Sequence, residues 1–366
     1  MTTTATLDRR APGAWAGVQL RAAAEKIADD RALLRTAAEV SRDLHAANPK
    51  IYWADMLASA VIGYAGLAGA IFSSSMGLAI ICGIVAVFAL YRAGSFIHEV
   101  SHMKHAQVPG FRLGWNLLVG IPLMIPSFMY EGVHNLHHNK TRYGTVDDPE
   151  YLPLALMKPW SVPLFVVAAA LAPIALLFRF AVLSPLSLAI PALRRTIAAR
   201  FSALAINPAF RRRDMTDDYR KLWVRLEIAT SVWAIALLAL VVTGVVPLRA
   251  LAIYLGILSA TMVLNQVRTL VAHLWENDGE QMSVTAQYLD SVNVPPPALL
   301  PMLWAPVGLR YHALHHLLPG VPYHSLGEAH RRLKATLEAG SLYHKASYAG
   351  LPGLLDRLVR STFGQR

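Results

Sequence analysis

Cysteine is almost missing from this chain: Cys82 is the single one in 366 residues. That excludes an intrachain disulfide and a cysteine-ligated iron–sulfur cluster within one chain. Charge is scarce as well, at 16% of residues against 55% hydrophobic, and mean hydropathy is positive. A chain of this length with so little charge is too apolar for an ordinary water-soluble protein and is expected to be an integral membrane protein. No GxGxxG nucleotide fingerprint and no cytochrome-type haem motif is present. The first 48 residues begin with Asp8, Arg9 and Arg10 and hold no apolar core of roughly 7 to 15 residues with a small-residue cleavage site, so no signal peptide is expected. The formal charge of +11 would point to nucleic acid in a soluble protein. Here the basic residues sit beside apolar runs, the pattern of positive cytoplasmic loops, and no nucleic-acid partner is expected.

What is present is two clean apolar hairpins. Trp53 to Phe72 and Gly77 to Ile97 make the first, turning at Ser73 to Met76; Trp223 to Val242 and Leu248 to about Val267 make the second, turning at Gly244 to Pro247. About 20 residues at ~1.5 Å each use up a ~30 Å hydrocarbon core, so His98 should emerge at the membrane face. Between the hairpins, 112–130 is broken by glycine and proline and reads as re-entrant or interfacial. Residues 160–192 are apolar but carry Pro163, Pro173, Pro185 and Pro191 with Arg179 near the middle. If the N-terminus lies inside, the histidines meet on one face only when this stretch makes zero or two crossings. The loop with Arg194, Arg195, Arg200, Arg211, Arg212 and Arg213 should be cytoplasmic. Residues 19–44 suggest an amphipathic helix, either a membrane-surface anchor or a helix packed on the rest. After Asn277 the chain is polar apart from the short run 298–309 and should form a cytoplasmic cap. The expected fold is all-α: about four transmembrane helices in two hairpins, interfacial helices and a histidine-rich cap, with residues 1–48 as an N-terminal segment and 49–366 as the membrane domain.

Histidine is where the chain is rich. His312-Ala-Leu-His315-His316 repeats the spacing of His134-Asn-Leu-His137-His138, and His98-Glu-Val-Ser-His102 precedes both. Residues three and four apart share a helix face, so each cluster can aim two or three imidazoles at one point. Imidazole suits iron, zinc, copper and nickel alike. A tetrahedral zinc takes four ligands, so eight clustered histidines imply two metal ions. His273, just past the second hairpin, is a ninth candidate. His105 fits the stripe of His98 if its helix continues, or donates to a ligand; His324, His330 and His344 read as ordinary cap histidines. Glu99, Glu131, Asp147, Asp148, Glu276 and Asp278 are candidates to fix imidazole tautomers.

The three clusters, placed after paired apolar hairpins, resemble the histidine boxes of the membrane fatty acid desaturase and hydroxylase superfamily over roughly residues 50 to 335. The resemblance implies two non-haem irons held by His98, His102, His134, His137, His138, His273, His312, His315 and His316, dioxygen as co-substrate, and attack on an unactivated C–H of a fatty acid or fatty acyl chain. Beyond these ligands no separate catalytic residue is implied. Stearoyl-CoA-type desaturases have an Asn four residues before the isolated histidine; here that position is Thr269, and Asn265 lies eight before. Within the superfamily desaturation is placed first, ahead of decarboxylation to a terminal alkene and of fatty acid or alkane hydroxylation. The reaction needs two electrons, and the missing redox motifs imply an external donor such as a ferredoxin and its reductase. The expected location is a bacterial inner membrane, with the site facing the cytoplasm and membrane lipid around it.

Two readings from other classes remain. His98-Glu99-x-x-His102 matches the HExxH signature of zinc metalloproteases, but an intramembrane protease leaves both H-x-x-H-H clusters idle. A metal transporter would need polar residues at mid-membrane, where the clean spans offer little beyond Asn265.

Overall fold

In the computed structural model, which describes residues 27–212 and 216–364, side-chain caps fix where the apolar runs become helices. Helix α1 (Arg31–Val40) is capped by Asp30, whose carboxylate accepts from the Leu33 amide. Its Leu33 and Ala37 pack into a cluster with Leu314, Leu326 and Leu333, so it lies against the cap rather than alone on a membrane surface; residues 19–26 of the expected helix lie outside the described residues. Asn48 and Ser75 cap α2 (Pro49–Phe72) and α3 (Met76–His102) in the same way. These two pack tightly because Gly66 has no side chain: a Cβ there would stand 2.8 Å from the Cys82 carbonyl oxygen and 2.9 Å from the Ala86 nitrogen. Close backbone approach through small residues is the usual way helices associate in lipid, where apolar burial alone drives nothing. The outward residues, such as Val61, Ile80, Ile81 and Ile84, are exposed and apolar, whereas Ser95 to Val100 are buried. Helix α3 thus passes from a lipid-facing stretch into the protein's polar centre without a break.

The glycine- and proline-broken stretch becomes α4 (Phe111–Trp115), a π turn (Asn116–Gly120) and a 3-10 turn (Ser127–Met129), as an interfacial segment requires. It is tied by buried Asn116, which donates to Ser127 Oγ at 2.9 Å and accepts from the Ser127 amide at 2.8 Å. A short α5 (His134–His137) follows.

Residues 160–192 depart from expectation. They form one continuous rod: α6 (Ser161–Phe178), a π turn (Arg179–Leu183) and α7 (Ser184–Ala189). At 29 residues the rod is long and apolar enough to cross a bilayer, making five such helices among the described residues where about four were expected. Most of its prolines cost little: Pro163 sits in the first turn, where the amide has no intrahelical partner, Pro185 follows the π turn, and Pro191 begins α8 (Pro191–Arg200). Helix α8 then brings the chain back. Arg179 Nε donates to the Phe201 carbonyl at 2.9 Å, and the Leu204 amide donates to the Met129 carbonyl at 2.8 Å. The segment therefore returns beside the residues that lead into α5, which keeps all the histidine clusters together even though the rod is single.

Two arginines of the basic loop are turned inward. Arg194 reaches Glu227 at 2.6 Å, and Arg212 donates to the carbonyls of Phe128, Ser202 and Glu131; Arg195 and Arg200 stay exposed, and Arg213 lies outside the described residues. The second hairpin is α9 (Asp217–Val242) and α10 (Leu248–Leu270), turning through Gly244 at a positive φ of 78°. Glu227 on α9 is buried and also accepts from Arg179 at 2.8 Å. The cap comprises α11 (Val284–Asp290), α12 (Pro301–Trp304), α13 (His312–Leu317), α14 (Leu326–Thr336) and α15 (Leu351–Phe363). It is docked on the first hairpin through Glu99, which accepts from the Tyr52 hydroxyl and, at 3.1 Å, from the Tyr323 amide.

Candidate metal centre

All nine histidines singled out from spacing come together, in two groups. His98, His102, His134, His138 and His315 form one; His137, His273, His312 and His316 form the other; within each, the nearest ring nitrogens lie within 4.8 Å of one another. Each H-x-x-H-H segment serves both. The first and fifth residues, His134 and His138, join the five-membered group while His137 joins the four-membered one; His312 and His316 join the latter while His315 crosses to the former. Residues i and i+4 of a helix share one face and i+3 lies beside it, so a single turn can supply both groups.

Different elements place the members. His98 and His102 come from the last turn of α3, and His273 is held by a bridge to Ser291. The Leu274 amide bonds the Asp290 carbonyl, the Val292 amide bonds the Ala272 carbonyl, and the Ala313 amide bonds the Val292 carbonyl, which ties His273 to the start of α13. Asn293 Oδ1 accepts from the Leu314 amide at 3.0 Å and fixes the same helix from below.

Three of the ring orientations follow from the far nitrogens. His134 Nδ1 faces Glu150 at 2.8 Å, His137 Nδ1 faces Asp148 at 2.9 Å, and His273 Nδ1 faces the Tyr143 hydroxyl at 2.8 Å, which itself donates to Asp290 at 2.7 Å. Donation from Nδ1 leaves the Nε2 lone pair free and pointing inward. Those inward atoms crowd together: His134 and His138 Nε2 are 3.0 Å apart, His102 and His315 3.0 Å, and His273 and His312 3.0 Å. His98 Nε2 is buried with no hydrogen-bond partner among the described residues. Converging lone pairs and an orphaned buried nitrogen are what a bound cation relieves, and an all-imidazole donor set suits iron, zinc, copper or nickel.

Electrostatics keep most of these rings neutral, the form that binds metal. Burial, reinforced by neighbouring imidazoles, pushes His134, His138, His315 and His316 well below the ordinary histidine range. His137 is the exception: burial works against its protonation, but the carboxylates of Asp148, Glu150 and Asp290 together outweigh it and its pKa is raised. Burial likewise lifts Glu150 to about 7 and Asp290 to about 6.

Of the carboxylates expected beside the histidines, Asp148 takes the role. Glu99 is used to dock the cap, with its other oxygen 3.6 Å from His98 Nδ1; Glu131 stands by Arg112 at 3.3 Å and Glu276 by Arg357 at 3.0 Å, while Asp147 is exposed. Glu150, Asp290 and Tyr143 were missed. His105 belongs to neither group: α3 ends at His102, and His105 sits on the following 3-10 turn, 3.8 Å from Glu131. His324 accepts from the Asn48 amide, His330 bonds the Tyr343 hydroxyl and His344 the Glu338 carbonyl, all away from the groups.

A cavity of about 350 Å³ opens onto the centre. His98, His134, His137, His273 and His312 form one end, and Leu90, Leu123, Ile125, Phe165, Leu258 and Met262 line the rest. Of the stretch 124–130, only Ile125 and Tyr130 reach it; Met124, Phe128 and Met129 are packed in the core.

Apolar helices and a cap that gather nine histidines, five of them lining a largely apolar cavity, define a membrane protein with a site suited to metal and to a lipid chain. The profile of the fatty acid desaturase family matches residues 73–348, and the chain belongs to that family. It is 50% identical over 335 residues to a ceramide hydroxylase of Caulobacter vibrioides, an alignment that covers 92% of this chain and 95% of that protein.

Proposed function

We propose that the protein is a diiron, dioxygen-dependent lipid hydroxylase whose substrate is a ceramide-type lipid. The observation that carries this reading is the apolar cavity closed at one end by five of the nine histidines. His98, His102, His134, His138 and His315 would hold one iron, and His137, His273, His312 and His316 the other. Bound there, the pair would supply the oxidising power, drawn from dioxygen, that breaks an unactivated C–H bond. The chain's own residues do the rest. The cavity walls exclude water and fix which methylene faces the histidines, and orientation of this kind is a large part of any rate gain. Glu150, Asp148 and the Tyr143–Asp290 pair hold the imidazole tautomers.

The expectation placed desaturation first. Similarity at 50% identity to a hydroxylase supports hydroxylation as much as desaturation, and hydroxylation is the reading adopted. Hydroxylation consumes one dioxygen, two electrons and two protons and yields an alcohol and water. The electrons come from a separate donor of the ferredoxin type, and exposed Arg195 and Arg200 offer an acidic donor a complementary surface. By the positive-inside rule these arginines support a site on the cytoplasmic side of a bacterial inner membrane. Neither competing class fits as well: the Glu99 of the HExxH pattern is engaged by Tyr52 and Tyr323, and the cavity at the centre is lined mostly by apolar side chains rather than by a polar path.

Mass spectrometry of lipids from cells expressing the protein tests this. Ceramides heavier by one oxygen are expected, with His315→Ala losing both product and iron. Unsaturated acyl chains without added oxygen would return the reading to desaturation, and an unchanged lipid profile would overturn it.

A further inference from the structure

Among the described residues the inward-facing arginines are firmly partnered, and Arg268 is held least. Arg179 meets Glu227, Arg92 meets Asp55 at 2.7 Å, Arg212 is surrounded by carbonyls, and Arg310 donates to the carbonyls of Val294 and Ala298. Arg268, on the last turn of α10 and five residues before His273, is only 9% exposed. Among the described residues its hydrogen bond is a long one, Nη2 to the Leu309 carbonyl at 3.4 Å, and Glu150, the carboxylate whose charge it feels, lies beyond ion-pair distance. It lines the cavity at the histidine end. A buried guanidinium carries five donors, and leaving them unmet is costly.

The wall around it changes character at the same level. Along α10 the cavity is lined first by Leu258, Thr261 and Met262, then, over the final two turns, by Asn265, Gln266, Arg268 and Thr269. Across from them Tyr130 and Glu150 are joined at 2.8 Å. An apolar slot thus ends in a polar band beside the histidines. A hydrocarbon chain alone satisfies the slot and leaves the band unmet.

We infer that Arg268 anchors the polar headgroup of the bound lipid, donating to its amide or hydroxyl oxygens, and thereby sets which carbon lies against the histidines. Arg268 is a positioning residue, and the inference rests on the hydroxylase reading above. A neutral amide-and-hydroxyl headgroup is favoured over a free carboxylate, because Glu150 lines the same pocket and would face a second negative charge, while Asn265 and Gln266 offer uncharged donors and acceptors.

The test compares purified wild type, Arg268→Gln and Arg268→Lys for iron per chain, for KM and kcat on ceramide with a reduced ferredoxin, and for the position of the hydroxyl by tandem mass spectrometry. Arg268→Gln is expected to load iron normally, to raise KM about tenfold or more, and to spread the hydroxyl over neighbouring carbons. Arg268→Lys keeps the charge but loses the planar fork, and should recover KM only in part. An Arg268→Gln variant with wild-type KM and a single wild-type position overturns the inference, as does one that only loses iron or stability. Binding of a fluorescent ceramide, with palmitate as competitor, separates this from the function itself. If wild type makes no hydroxyceramide, the hydroxylase reading fails, while tighter ceramide binding by wild type than by Arg268→Gln still supports the anchor. Equal binding by the two, or a difference seen with palmitate alone, counts against it.

Discussion

Replacing Asp148 by Asn removes one charge and nothing of the shape, and the structure says where the damage falls. The Asp148 carboxylate is fully buried. One oxygen accepts from the Glu150 amide at 2.8 Å and the other from the Gly144 amide at 2.8 Å, and both face His137 Nδ1, at 3.1 and 2.9 Å. Asn can offer an oxygen on one side only, so its NH2 must meet a backbone N–H whichever way it turns. An unsatisfied buried donor costs about 1–3 kcal/mol, and loss of a carboxylate behind a ligating imidazole typically weakens metal binding about 10- to 100-fold. The two estimates agree, since tenfold corresponds to about 1.4 kcal/mol. Iron retained per chain after dialysis against a graded series of chelator concentrations measures it: the midpoint for Asp148→Asn should fall by one to two decades. A midpoint equal to wild type would refute the claim that Asp148 holds His137 in its ligating form.

Three other outcomes are expected. Glu227→Gln strands buried Arg179 and loosens Arg194, at a cost of about 3–5 kcal/mol; a lower denaturation midpoint in detergent should result, and an unchanged one would show that the π turn does not depend on the pair. Gly66→Ala forces a methyl against the Cys82 carbonyl oxygen at 2.8 Å, so α2 and α3 must part; thermal melting should drop, and wild-type melting would mean that the helices yield freely. Stripping the metal with chelator should lower the melting temperature in proportion to how tightly the ions bind the folded state, whereas identical curves with and without metal would mean that the histidine groups are not coupled to folding.

The histidines were legible because their information is local. Spacings of three and four on a helix put donors on one face whatever the rest of the fold does, and His273 was marked by its place just past an apolar run. Their partners were not legible for the opposite reason. Glu150 lies 16 residues from His134, and Asp290 reaches His273 through Tyr143, which is 130 residues from that histidine and 147 from Asp290; no periodicity links them, while nearer acids such as Glu99 and Glu131 are drawn to Tyr52 and Arg112. The rod from Ser161 to Ala189 was hidden by prolines read as breaks. A proline costs a helix one hydrogen bond in its interior, but at a first turn or after a π turn that bond was never there to lose. Only Pro173 sits fully inside α6.

The division of each H-x-x-H-H segment between the two groups also bears on how this protein can vary. One inserted or deleted residue in either pentapeptide turns the following side chains by about 100°, and both groups lose members together. Neither half of the centre can be altered, weakened or retuned by a change of register while the other is kept. The two sets of imidazoles are inherited as one unit, and variation is left to the cavity wall.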